Sequence, residues 1–198
     1  MLEESQKSDL LYRVNWPGII AGLFTIALPF LGMWWQFELG TGAVVMALSP
    51  FGVESSIFGE SVSSPLFLWI TLGLKLAVVY LGVLLLTGSV LSVSNSHTAT
   101  AELFVRFSAR KLSWLVVAFV AGLLIFIVLA NQLPEMVGLP FQLELPYLIG
   151  TSTLSAGVEG MHLTIPIVMN FTQAFGIAVV TAALGIVAWL YQKKTFIS

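Results

Sequence analysis

Residues 112–133 read LSWLVVAFVAGLLIFIVLANQL, without one Asp, Glu, Lys or Arg. A helix gains about 1.5 Å per residue and needs roughly 20 residues to cross a hydrocarbon core of about 30 Å. This stretch is long enough to do so. Three others approach or meet the requirement, at 18–35, 66–90 and 166–191. The segment 18–35 is about one turn short, and Trp34 and Trp35 at its end are expected at the headgroup level, in one interfacial belt with Trp16 and Trp69. Glu3, Glu4 and Asp9 precede this first segment and bulky tryptophans follow it, which reads as a retained anchor rather than a cleaved signal.

The composition agrees with four spans. Of 198 residues, 58% are hydrophobic and 9% charged, with a mean hydropathy of +0.97, whereas a soluble domain is about 25% charged. So few charges cannot coat a water-facing surface, and the apolar content excludes disorder. Lys and Arg number 8 against 10 Asp and Glu, which lacks the basic footprint of a nucleic-acid binder. With no cysteine, disulfides, thiolate nucleophiles and thiolate metal sites are excluded.

The few charges are sorted. Lys7 and Arg13 precede the first span, Arg106, Arg110 and Lys111 lie between the second and third, and Lys193 and Lys194 follow the fourth. The other two loops hold Glu38, Glu54, Glu60, Glu135, Glu144 and Glu159 and no Lys or Arg. The positive-inside bias acts on Lys and Arg, so both termini are expected in the cytoplasm and loops 36–65 and 134–165 outside, with the cytoplasmic loop at 91–111 and a tail at 192–198. No repeat or linker divides the chain, which reads as a single membrane domain, 1–198.

Each outer loop is much longer than a plain helix connection. Phe37–Leu39 and Ala43–Ser49, joined by Gly40-Thr41-Gly42, read as a hairpin. Ser49-Pro50-Phe51-Gly52 is expected to end the pairing. Phe141 to Leu145 and Met161 to Ile165 alternate with period two, around a turn-rich 150–160. The expected fold is an integral membrane, mainly α protein: a four-helix bundle with a small extracellular antiparallel β-sheet formed by both outer loops. Asn15-Trp16-Pro17-Gly18 caps the first helix, Pro29 is expected to kink it, and Gly176, Gly185 and their neighbouring alanines give the last span a surface for close helix approach.

This order resembles the claudin-like tetraspan architecture, with Gly32-Met33-Trp34-Trp35 near the place of the claudin Gly-Leu-Trp motif. Claudins carry two cysteines in the first outer loop, and this chain carries none. The resemblance implies architecture and not junctional function.

Lys75 breaks the sorting, lying inside the second span. Ionisable groups at such depth mark an internal ion pair, a partner contact or a pathway. Its candidate partners are Glu38, Glu135, Gln132, Asn170 and Gln173. Arg106, Arg110 and Lys111 lie in an amphipathic lead into the third span and are candidates for anionic headgroup contact. Glu159 and His162 form a thin metal candidate without a third ligand, His97 falls in a polar turn, and Asn170-Phe171-Thr172 matches a glycosylation sequon beside the membrane. No catalytic set or cofactor motif is present. The expected function is a non-catalytic accessory or scaffolding subunit of the plasma membrane, embedded in the lipid bilayer and binding other membrane subunits or copies of itself. The alternative is a transporter or channel component with a path through Lys75, Thr71, Gln132, Thr172, Gln173 and Thr181.

Overall fold

The computed structural model describes residues 14–62, 65–92, 98–137, 144–158 and 161–197. Helix α1 spans Trp16–Ala27 and passes into a 3-10 turn, Leu28–Phe30. Strands β1 (Trp35–Leu39), β2 (Val44–Ser49), β3 (Gly52–Ile57) and β4 (Glu60–Val62) follow, then α2 (Pro65–Leu91), α3 (Thr98–Val137), β5 (Gly150–Val158), β6 (Met161–Phe171) and α4 (Gln173–Ile197). Among the described residues, three helices are long and apolar enough to cross a membrane, within Leu68–Leu91, Thr98–Pro134 and Gln173–Lys194.

The bounds of the helix expected over 18–35 are corrected by the structure. The helix has 12 residues and its 3-10 turn 3, about 24 Å at their respective rises. Pro29 tightens the last turn to 3-10 rather than kinking a longer helix, Gly32 turns the chain at φ +100°, and Trp35 already belongs to β1. The fourth span likewise starts at Gln173 and not at 166, because Pro166 to Phe171 are part of β6. The third helix begins earlier than 112, since the amphipathic lead is continuous with it.

The chain forms two compact units, one from Gly32–Leu72 and Val117–Gly176, the other from Met1–Leu31, Gly73–Val116 and Ile177–Ser198. In the first, all strands join one antiparallel sheet in the order β4-β3-β2-β1-β6-β5. The segment between α1 and α2 contributes a four-strand meander, and the segment between α3 and α4 adds two strands on the far side of β1. Ser49 to Gly52 do not end the pairing as expected. They turn it, with Ser49 opposite Gly52, and the Ser49 hydroxyl accepts from the Phe51 N–H at 3.1 Å. The stretch at 150–158, expected as turns, is a strand because Thr151, Thr153 and Leu154 find partners along the long β6. Glu144 to Pro146 are not a strand. The Leu145 N–H and carbonyl are held instead by the Asn131 side chain, at 2.7 and 3.1 Å, so an amide on α3 does the work of a neighbouring strand. Residues 141–143 lie outside the described residues.

Proline in a six-strand sheet needs an explanation, since it cannot donate to a ladder. The Pro166 carbonyl accepts from Gly40 N–H at 2.8 Å, so the side of β6 on which Pro166 lacks its own N–H faces the place where β1 has just ended. The Gly40 carbonyl has its donor elsewhere, in Ala43 N–H at 3.1 Å. Nothing is left unpaired. Gly40 itself sits at φ +63° with Ile165 Cγ2 3.1 Å from where a Cβ would stand, so a side chain there would be strained and tightly packed.

The core of this unit is Trp35, Leu123, Ile127, Leu145, Ile167 and Met169. Trp34 and Trp35 are 0% and 1% exposed, so both leave the interfacial belt expected of them. The reason is that the chain has left the helix before reaching them: Trp35 pairs with Leu48 on one side and Phe171 on the other. The Trp34 ring meets Phe51, Phe119 and Phe175 edge-on, with centroids 5.5, 5.2 and 5.9 Å away. Trp16 and Trp69 are exposed on their helices.

In the second unit α1 packs on α2 through small residues. A Cβ at Gly18 would stand 3.1 Å from Ser89 Cβ, and one at Gly82 would stand 2.9 Å from the Gly22 carbonyl oxygen. The buried face of α4 is Ala178, Ala182, Gly185, Ala188 and Gln192, and a Cβ at Gly185 would touch Ala109 at 3.5 Å. Gly176 and Ala183, expected on the same surface, are exposed.

Asn15 ties the ends of this unit together. Its Oδ1 caps α1 by accepting from Gly18 N–H at 3.1 Å, and its Nδ2 donates to the Ala188 carbonyl at 2.9 Å and to Gln192 Oε1 at 3.1 Å. Asn15→Leu should cost about 2–3 kcal/mol, from the lost cap and the buried groups left unpaired. Adding Gln192→Leu should recover only the part due to the buried Gln192 amide, because the Gly18 N–H and the Ala188 carbonyl stay without Asn15. Thermal unfolding of the single and double variants in detergent measures both numbers.

Candidate partner-binding surface

Register places the turns of the sheet at two ends. The β1–β2 turn (Gly40 to Ala43) and the β3–β4 turn lie at one end, and Trp35, the Ser49–Gly52 turn and Phe171 lie at the other. Ile57 pairs with Glu60, leaving Phe58 and Gly59 as a two-residue loop. Their φ angles are +50° and +83°, the both-positive pattern of a type I′ turn, whose first position favours Asn, Asp or Gly. Phenylalanine there costs on the order of 1 kcal/mol. The position is over-determined: Phe58 N–H donates to the Ala43 carbonyl at 2.7 Å, so the backbone stays fixed while the ring is 83% exposed. Ile57, exposed, adjoins it at the end of β3. A hydrogen-bonded turn thus holds a solvent-exposed aromatic side chain beside the exposed Ile57.

This residue was missed in the sequence, where Phe58 reads as ordinary loop. The available signal was Gly59 between two short extended runs, a two-residue hairpin spacing masked by an unsuitable first residue.

The residues singled out by sequence stand as follows. Thr71, Lys75, Val78, Gly82, Leu85 and Ser89, spaced by four and three, form the line of α2 with the least exposure, so Lys75 lies half-buried on the packed side of its helix. Among the described residues it has no hydrogen-bond or ion-pair partner. Glu38 is half-buried in β1, its carboxylate near the β1–β2 turn, 3.9 Å from where a Cβ on Gly42 would stand. Gln132, Asn170 and Gln173 are exposed, and Asn170 stands opposite Gln36 in the sheet. The side chain of Glu135 lies outside the described residues.

Thr172 donates its hydroxyl to the Met33 carbonyl, and Thr181 donates to Ile177 at 2.7 Å. Arg106, Arg110 and Lys111 are exposed on α3, with the Lys111 ammonium 5.8 Å above the Phe107 ring. Glu159, the His162 side chain and His97 lie outside the described residues, among which no group of three His, Asp or Glu side chains could hold a metal ion.

No protein-family model, no curated protein and no solved structure matches this chain.

Proposed function

We propose that this chain is a non-catalytic accessory or scaffolding subunit that binds partner membrane proteins, or further copies of itself, through the turn-bearing end of its sheet. Its setting in this reading is a plasma membrane, with four crossings in a claudin-like arrangement, both termini in the cytoplasm and the sheet outside. The observation that carries the reading is Phe58. A bulky aromatic held in a left-handed turn at an energetic cost, and almost wholly exposed, is the kind of strained outlier that clusters at ligand clamps, and aromatic anchors dominate interface energetics. The sorting of the charges supports the orientation. The single sheet shared by both inter-helix segments supports the architecture. Thr172 and Thr181 spend their hydroxyls on backbone carbonyls, and Gln132 and Gln173 are exposed, which favours this reading over a transport path.

The test is Phe58→Asn. Asparagine suits the first position of a type I′ turn, so the variant should be as stable as the parent or more so by about 0.5–1 kcal/mol, while recovery of the partner in mild detergent falls at least about tenfold. Placing the photo-crosslinking residue p-benzoylphenylalanine at position 58 should trap that partner or a second copy. A parent protein that runs as a monodisperse monomer, with no crosslinked species, overturns the proposal.

A further inference from the structure

The second compact unit contains a cavity of about 370 Å³ between α3 and α4, lined by Arg106, Arg110, Ser113, Trp114, Ile186 and Trp189 over a floor formed by Ala109. Its origin is local. Gly185 and Ala109 bring the helices together, with only 3.5 Å between Ala109 Cα and the place of a Gly185 Cβ. The large side chains that follow, Trp114 on α3 and Trp189 on α4, then stand out beside that close contact as walls. Trp189 is fixed by packing on the cluster of Ala21, Leu85, Val105 and Ala188, whereas Trp114 and Ile186 are exposed.

The cavity has two chemistries. Arg106 and Arg110 are four residues apart and so share one face of α3. Both are exposed, and guanidinium groups favour bidentate contact with phosphate. Ser113 adds no donor, because its hydroxyl already donates to the Ala109 carbonyl at 2.9 Å. The rest of the lining is aromatic and aliphatic. Along α3 the change from one to the other falls where its charge-free stretch begins, at Leu112. A phosphate alone would use the arginines and leave the tryptophan walls idle. An amphiphile with one anionic phosphate and an acyl chain uses both.

We infer that this cavity is a binding site for one anionic glycerophospholipid, its phosphate on Arg106 and Arg110 and its acyl chain along Trp114 and Ile186. The inference draws on the membrane-crossing character of α3 and α4 and not on which partner the sheet binds, so either can fail alone.

The test uses the full-length protein in detergent, with phosphatidylglycerol or phosphatidylcholine of the same acyl chains added and retained lipid counted by native mass spectrometry. One phosphatidylglycerol per chain should be retained, with phosphatidylcholine about tenfold weaker, given the attraction expected of two basic side chains at an anionic headgroup. Arg106→Gln with Arg110→Gln should reduce phosphatidylglycerol to the phosphatidylcholine level, and Lys193→Gln, an exposed cation outside the cavity, should change nothing. Trp114→Ala should weaken both lipids. Circular dichroism verifies that each variant is folded, and if the double variant is not, each arginine replaced singly should lower retention about threefold. Unchanged retention in the arginine variants, or equal retention of the two lipids, overturns the inference. Displacement of phosphatidylglycerol by millimolar inorganic phosphate overturns it too, since it would identify a free-phosphate site.

Discussion

Trp35→Ala should abolish the sheet while leaving the long helices intact. Trp35 is buried in the core of its unit, pairs in register with two strands at once, and donates its indole N–H to the Leu148 carbonyl at 2.8 Å. Truncating a buried tryptophan costs about 3–5 kcal/mol. Leu148 adds to this, because it is held at φ +66°, a conformation that costs a non-glycine residue on the order of 1 kcal/mol or more and that keeps its carbonyl within reach of the indole. Without the ring that segment has no reason to stay. Far-ultraviolet circular dichroism should lose its strand component, and protease should cut between α3 and α4 in the variant before it does so in the parent. Trp35→Phe separates the two effects: it keeps most of the packing, loses the hydrogen bond, and should cost about 1 kcal/mol because a part-buried carbonyl loses its donor.

Gly82→Leu should drive α1 off α2. A Cβ at position 82 would stand 2.6 Å from Ile26 Cγ1, 2.9 Å from the Gly22 carbonyl oxygen and 2.9 Å from Ile26 N. Two of those three atoms are backbone and cannot step aside by changing rotamer. Ordinary overpacking costs about 1–3 kcal/mol, and here the only relief is to separate the helices, which in a bilayer associate through close packing. The chain has no cysteine, so an engineered pair reports this without background. A Cβ at Gly18 would lie 3.1 Å from Ser89 Cβ, slightly closer than the separation of about 3.5–4.5 Å found in disulfides, so the two helices need to part by only about half an ångström to reach it. Gly18→Cys with Ser89→Cys should therefore crosslink readily on oxidation, and the crosslink should be lost when Gly82→Leu is added. A crosslink of equal yield would show that α1 stays in place.

The parts of this fold that sequence reading reached are those set by a single uninterrupted property. The helix cores of α2, α3 and α4 follow from charge-free runs, and β1 and β2 from two extended stretches around Gly40-Thr41-Gly42. What it missed involves properties that mean two things. Tryptophan is apolar whether it faces a headgroup or a packed strand, so hydropathy carried the first helix through to Trp35, although the helix ends at Ala27. Gly150, Ser152, Ser155 and Gly157 suit a turn, yet β6 offers nine paired positions, and a ladder of that length outweighs weak local preference. The hydrogen bonds from Asn131 to Leu145 and from Trp35 to Leu148 are a side chain meeting a distant backbone, which no periodicity encodes. At the sites, the arginine pair was legible from its position beside an apolar run. Trp189 and Ile186, which complete the cavity, lie on another helix and carry no local mark. Phe58 was hidden because its turn uses a residue that turn chemistry disfavours.

The partners of Asn15 and of β1 also impose an order in time. Asn15 waits for Gln192, 177 residues later, and β1 receives its second neighbour only with the arrival of Met161–Phe171. A growing chain can close the meander, but the second edge of β1 stays open until β6 is made, and the Asn15 Nδ2 stays without Ala188 and Gln192 until α4 follows. Each unit thus closes on a segment late in the order of elements, and a chain truncated before β6 carries an exposed edge strand that quality-control proteases can recognise.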